Sequence, residues 1–208
     1  MLNLTQFQCF NAEEMAARER SAADRERAVN LAKYMADSGI PKRHQLNTHP
    51  TGEAWLALYE RLVEKLGTGC VLAVVGPRGT GKTQLGCHLS RRVAEAGRRP
   101  VYTTALGFFL EVKEAYSAKT SERDAIERFV RPSLLIVDEV QERNQSEWGD
   151  TLLTHLVDRR YGDMKDTILL GNQTPMEFVR HVGPSVRDRI AENGGISEAN
   201  WPSFRTQK

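Results

Sequence analysis

Short apolar runs alternate along the chain with longer stretches in which apolar residues recur every three or four positions. Four runs read as buried strands: residues 72–75, 100–104, 134–137 and 167–171. Helical spacing separates them. Trp55, Leu58, Tyr59, Leu62, Val63 and Leu66 fall on one face over 53–66. Leu85, Leu89 and Val93 follow a helix start near Lys82, and Gly97 is placed to end that helix. Phe108, Phe109, Val112 and Tyr116 mark a helix over 105–117, and 120–130 reads as a further short helix or turn. Trp148, Leu152, Leu153, Leu156, Val157 and Tyr161 form the buried face of another, with Ser146 or a neighbour as its cap. Asp158-Arg159-Arg160 lies near its end, where cations suit the helix dipole. Thr174, Pro175 and Glu177 have the order of an N-cap, a first-turn proline and a capping-box acid. Gly183-Pro184 breaks that helix, a further one starts at Ser185, and Gly194-Gly195 follows it. Strands and helices in this alternation predict an α/β fold on a parallel sheet.

The first forty residues differ in texture. Residues 11–37 favour helix, with Asn11 and Glu14 resembling a capping box. The segment is dense in charge, and its apolar stripe is thin: Met15, Ala22, Val29, Ala32 and Met35. Such a helix packs weakly on its own domain and is either a partner-binding arm or a solvated helix. Ser38-Gly39-Ile40-Pro41 ends it. Residues 42–52 read as irregular. His44 and His49 there have no carboxylate or cysteine at ligand spacing, so they read as loop histidines.

Composition narrows the picture only modestly. The 208 residues carry a formal charge of +2, which does not by itself demand a nucleic-acid partner. The cluster Arg91, Arg92, Arg98 and Arg99 is either a solvated helix end or a local basic patch. Cys9, Cys70 and Cys87 show neither metal-ligand nor disulfide spacing, which fits a reducing, cytoplasmic setting. Neither a membrane span nor a signal peptide is expected.

The candidate chemistry sits at the ends of the apolar runs. After residues 72–75 comes Gly76-Pro77-Arg78-Gly79-Thr80-Gly81-Lys82-Thr83, a full match to the phosphate-binding P-loop. Its glycines let the backbone N–H groups approach a phosphate, and the following helix points its positive end at the same anion. Lys82 would reach the β- and γ-phosphates of ATP and the Thr83 hydroxyl would ligand Mg2+. The run at 134–137 ends in Asp138-Glu139, a Walker B pattern: Asp138 would hold Mg2+, directly or through water, and Glu139 would act as general base on the attacking water. In a doubly wound sheet both motifs face one crevice. Asn172, at the end of the 167–171 run, would orient that water or touch the γ-phosphate. Phe108 and Phe109 read first as core; stacking on single-stranded nucleic acid is the sharper alternative.

Taken together, these motifs resemble the AAA+ ATPases of the DnaC type, the bacterial and phage replicative helicase loaders. The resemblance runs from about residue 38 to Arg205 and rests also on Leu156-Val-Asp-Arg-Arg160, Leu169-Leu-Gly-Asn172, Val186-Arg-Asp-Arg-Ile190 and Asn200-Trp-Pro-Ser-Phe-Arg205. It implies a three-layer AAA+ P-loop NTPase (42–208) preceded by a short helical, helicase-binding arm (1–41). It also implies a catalytic set of Glu139, Asn172 as sensor I and Arg189, chosen over Arg187 from the motif register, as an arginine finger reaching a neighbouring subunit. Arg205 would be sensor II, on the nucleotide of its own subunit. The partners implied are a replicative helicase, single-stranded DNA and further copies of the chain. The region before the ATPase domain is shorter than usual for such loaders and holds only Cys9, so zinc is not expected. Three other readings stay open: an IstB-like transposition helper, a P-loop kinase for a small molecule, and a binding module without turnover.

Overall fold

The computed structural model describes residues 4–46, 52–118, 121–142 and 147–205, with residues 4–13 as backbone only. Five parallel strands carry it: β1 (Val71–Val75), β2 (Pro100–Thr104), β3 (Leu134–Asp138), β4 (Asp166–Gly171) and β5 (Gly194–Glu198). Their order across the sheet is β2-β3-β4-β1-β5. Nine described α-helices accompany them: α1 (Leu4–Ala36), α2 (Lys42–Leu46), α3 (Glu53–Lys65), α4 (Lys82–Glu95), α5 (Ala105–Ser117), α6 (Glu122–Val130), α7 (Glu147–Gly162), α8 (Pro175–His181) and α9 (Pro184–Glu192).

Alternation along each strand builds the layers. Val71, Ala73, Val75, Leu135, Val137 and Leu169 join one core with α5 to α9. Leu72, Val74, Leu134, Ile136, Ile168 and Leu170 join the other with α3, α4 and the end of α1. Both faces of the central strands are covered, which is why they read as unbroken apolar runs. The fold is therefore a three-layer α/β sandwich.

Several expectations change. β5, a strand not expected from the sequence, begins at Gly194-Gly195. It pairs with β1, Gly194 opposite Val71, and a side chain at Gly194 would collide with the Val71 carbonyl. Close backbone approach, not a turn, explains that glycine. The supposed irregular stretch holds α2, whose His44 shares a 3.0 Å hydrogen bond with Gln84 of α4. α1 already runs from Leu4, so Asn11 and Glu14 lie inside it rather than capping it; residues 4–10 contain no glycine or proline to interrupt a helix. His49, Pro50, Ser146 and Thr120 lie outside the described residues. Of the thin stripe on α1 only Met35 is buried; Met15 and Val29 are 55% and 67% exposed. From residue 14 to residue 29 the helix lies almost entirely in solvent. Phe108 and Phe109 are buried against Phe129 and Trp148, so base stacking by them is excluded, while Tyr116, expected in the core, is exposed.

Arg160 lies in the last turn of α7, as expected, and is fully buried there. Its guanidinium donates to the carbonyls of Phe129, Val130, Pro132 and Asp166 and to the Thr167 hydroxyl, at 2.6–3.0 Å. It thus ties the end of α6 and the approach to β3 to the start of β4. Asp166 extends the tie by accepting the N–H groups of Gly67, Gly69 and Cys70 ahead of β1. An Arg160→Met variant leaves four buried carbonyls without this donor. A loss of about 3–5 kcal/mol in urea unfolding is expected; a loss below about 1 kcal/mol, the scale of one net hydrogen bond, would contradict this role.

Candidate nucleotide-binding site

The crossing order of the sheet assembles the site. β4 lies between β1 and β3, so Asn172, just after β4, sits between the loop leaving β1 and the acids ending β3. The Gly76 N–H donates to the Gly171 carbonyl at 3.2 Å and joins the two strand ends. From there the loop turns into α4, whose N-cap Gly81 is left-handed.

Lys82 is buried at the base of the loop. Its ammonium donates to the carbonyls of Gly76 and Pro77, both at 2.7 Å, and reaches the Thr80 hydroxyl at 3.4 Å. Burial pushes its pKa down to about 8, with Arg205 and Arg78 acting in the same direction and Asp138 opposing. The outer side of the loop is held by groups distant in sequence. Trp55 of α3 donates its indole N–H to the Gly81 carbonyl at 3.2 Å. Trp201 does the same to Thr80 at 3.0 Å, and the Phe204 backbone N–H to Gly79 at 3.0 Å. Gly79, at φ 88°, has no room for a side chain because Ser203 lies against it. The carbonyls are thereby taken up outside, and the loop's N–H groups are what an anion would meet. The sequence pattern places Trp55 only on a core face and carries no sign of either tryptophan contact. The available signal is general: a buried indole seeks an acceptor for its N–H.

Asp138 closes the other side. Its Oδ2 accepts the hydroxyls of Thr83 at 2.7 Å and Tyr102 at 2.9 Å, and its Oδ1 accepts the Glu139 N–H at 2.7 Å. Burial, together with the Asp138 charge, pushes the Tyr102 phenol pKa up, so it remains a donor. Glu139 has a left-handed backbone, φ 55°, which is unfavourable for a residue with a side chain. Its carboxyl pKa is raised, first by burial and then by Glu142 and Asp138. The Asn172 N–H donates to Gln141 Oε1 at 2.9 Å.

These groups face one cavity of about 810 Å³, lined by Lys82, Thr83, Asp138, Glu139 and Asn172 together with Arg43, Arg78 and Arg205. Four cationic side chains against two carboxylates make it receptive to a polyanion. Arg78 is exposed and pairs with Glu142 at 2.9 Å. Arg189 is not part of this cavity. It lies over the Tyr161 ring, 4.6 Å from its centroid, and pairs with Asp158 at 3.3 Å and Glu192 at 3.8 Å. Arg187 is more exposed and pairs with its neighbour Asp188 at 3.6 Å. Among the described residues no three His, Cys, Asp or Glu side chains gather into a metal site, and no helix is long and apolar enough to cross a membrane.

The family model of the IstB-like ATP binding protein matches residues 56–192, from the helix ahead of the loop to the end of α9. The chain belongs to the IstB-like ATP-binding family. Its members are AAA+ ATPases that bind ATP. Among curated relatives, the replicative helicase loader DnaC of Escherichia coli (strain K12) is 24% identical over 205 residues, covering 93% of this chain and 84% of that protein. A crystal structure of the DnaC helicase loader superposes with a TM-score of 0.65 at 19% identity, over 76% of this chain and 99% of that one. The replication initiator DnaA bound to AMPPCP and single-stranded DNA gives 0.64 at 21% identity, over 76% of this chain but only 50% of its own. These likenesses to solved structures establish the AAA+ fold.

Proposed function

We propose that this IstB-like ATPase loads a hexameric replicative helicase onto single-stranded DNA, hydrolysing ATP at the interfaces between its own copies. The observation that carries the proposal is the reach of the similarity to the helicase loader DnaC. It covers 93% of the chain, beyond the 56–192 core that the family shares, and so takes in sequence outside the ATPase machinery. Residues 1–41 are the helicase-binding arm in this reading and 42–208 the motor. The solvated stretch of α1, with Met15 and Val29 exposed, supports an arm that waits for a partner.

The geometry supports a role for each residue. The loop and Lys82 bind the ATP phosphates, and Arg205, at the cavity edge, contacts the nucleotide of its own subunit. Thr83 and Asp138 offer hard oxygen donors in contact with each other, which fits Mg2+; with no cluster of three ligands among the described residues, phosphate oxygens would complete the shell. When bound, Mg2+ neutralises charge on the β- and γ-phosphates. Glu139 takes the proton of the attacking water, favoured by its raised pKa, and Asn172 orients that water or the γ-phosphate. Arg189 lies outside its own cavity and serves that of the next subunit.

Pull-down of a purified replicative helicase with the chain, with and without ATP, tests the function. Deleting residues 1–29, which stops short of the part of α1 packed in the core, is expected to lower capture at least about tenfold, the effect of removing a main anchor, while ATP binding is retained. Capture of a transposase instead of the helicase would favour the transposition-helper reading.

A further inference from the structure

We propose that Tyr102 is a positioning residue for the Asp138 carboxylate, an inference that rests on the reading of Thr83 and Asp138 as the magnesium ligands. β2 runs beside β3 with Thr104 opposite Asp138, which places Tyr102 one pleat deeper in the sheet. The residue belongs to the core shared with α4, lies opposite Ile136 of β3, and is 9% exposed. A phenol there needs an acceptor, and it has one: the hydroxyl donates to Asp138 Oδ2.

The contact has a consequence for Asp138. A carboxylate on a short side chain turns readily about its last torsion. Here each oxygen is held, Oδ1 by the Glu139 N–H and Oδ2 by Tyr102, so the plane of the group is fixed. Oδ2 also accepts the Thr83 hydroxyl. With its proton committed to that oxygen, Thr83 keeps its lone pairs for a cation. Three donors from three elements (α4, β2 and the turn after β3) thus orient one carboxylate and, through it, one hydroxyl. Outer partners of this kind set the affinity of a metal site without touching the metal.

The test uses Mn2+ as probe, followed by electron paramagnetic resonance in the presence of ADP. Tyr102→Phe keeps the ring and its packing and removes only the hydroxyl. Mn2+ affinity is expected to fall about tenfold, while ADP affinity in EDTA stays unchanged. Unchanged Mn2+ affinity, or an equal loss of ADP affinity in EDTA, overturns the positioning role and leaves the metal-ligand reading standing. Asp138→Asn separates the two: if it binds Mn2+ as the parent does, the ligand reading fails and the role of Tyr102 fails with it.

Discussion

Arg189→Ala is expected to lower ATP turnover by about 10³–10⁵-fold, the scale of an arginine finger in other P-loop enzymes, with ATP affinity and folding retained. The structure makes the variant interpretable. Arg189 is partly exposed, and it touches Asp158, Glu192 and the Tyr161 ring rather than the cavity of its own chain. An effect on turnover therefore cannot come from the cavity of the same subunit. Turnover per subunit in the parent chain should rise with protein concentration as copies associate, and in the variant it should stay flat. Arg187→Ala serves as the control. Arg187 pairs with the adjacent Asp188, and its loss should leave turnover within about twofold, as expected of an exposed ion pair. Steady-state turnover measured across protein concentrations decides between them. Undiminished turnover in Arg189→Ala at every concentration would remove the finger, and a loss confined to Arg187→Ala would transfer the role.

Glu139 carries the second large effect. Glu139→Gln keeps the shape of the side chain and removes its capacity to take a proton. Turnover is expected to fall about 10²–10⁴-fold while ATP still binds. The backbone supplies an independent check. Glu139 is one of two described non-glycine residues with positive φ, the other being Met164 in the turn after α7. Left-handed geometry costs about 1–2 kcal/mol for a residue with a Cβ, and glycine recovers that at an entropic cost of about 0.4–1 kcal/mol. Glu139→Gly should therefore be inactive and yet about 0.5–1 kcal/mol more stable in urea unfolding. Together the two variants separate proton transfer from strain. A Glu139→Gly protein less stable than its parent would mean that the side chain supports the fold rather than the chemistry.

What is legible in the chain depends on how local each signal is. β1, β3 and β4 are buried on both faces and announce themselves as apolar runs. The P-loop and the acids after β3 are contiguous motifs at strand ends, so residue order alone locates the centre of the cavity. β5 is not legible in this way, because Gly194-Gly-Ile-Ser-Glu198 carries one apolar residue and is an edge strand held by its pairing with β1. Arg160 reads only as a cation near a helix end because nothing in its neighbours reveals burial; its partners lie 28–31 residues upstream in α6 and the loop after it, and only 6–7 residues downstream at β4. The supports of the loop are hidden for the same reason. Trp55 is 26 residues from Gly81 and Trp201 is 121 from Thr80, and tertiary folding alone brings them together. Tyr102 reads as an ordinary strand residue until β2 is seen to lie beside β3.

A catalytic site shared between two copies is the central claim, and mixing two inactive proteins tests it most directly. Glu139→Gln retains Arg189 but cannot hydrolyse; Arg189→Ala retains Glu139 but lacks the finger. In a head-to-tail assembly formed from equal amounts, about one interface in four joins an intact Glu139 to an intact Arg189. ATP turnover should then return to about a quarter of the parent level on mixing. If each variant is inactive alone and the mixture stays inactive at concentrations where the parent is fully active, the two residues do not meet across an interface, and the shared site does not exist.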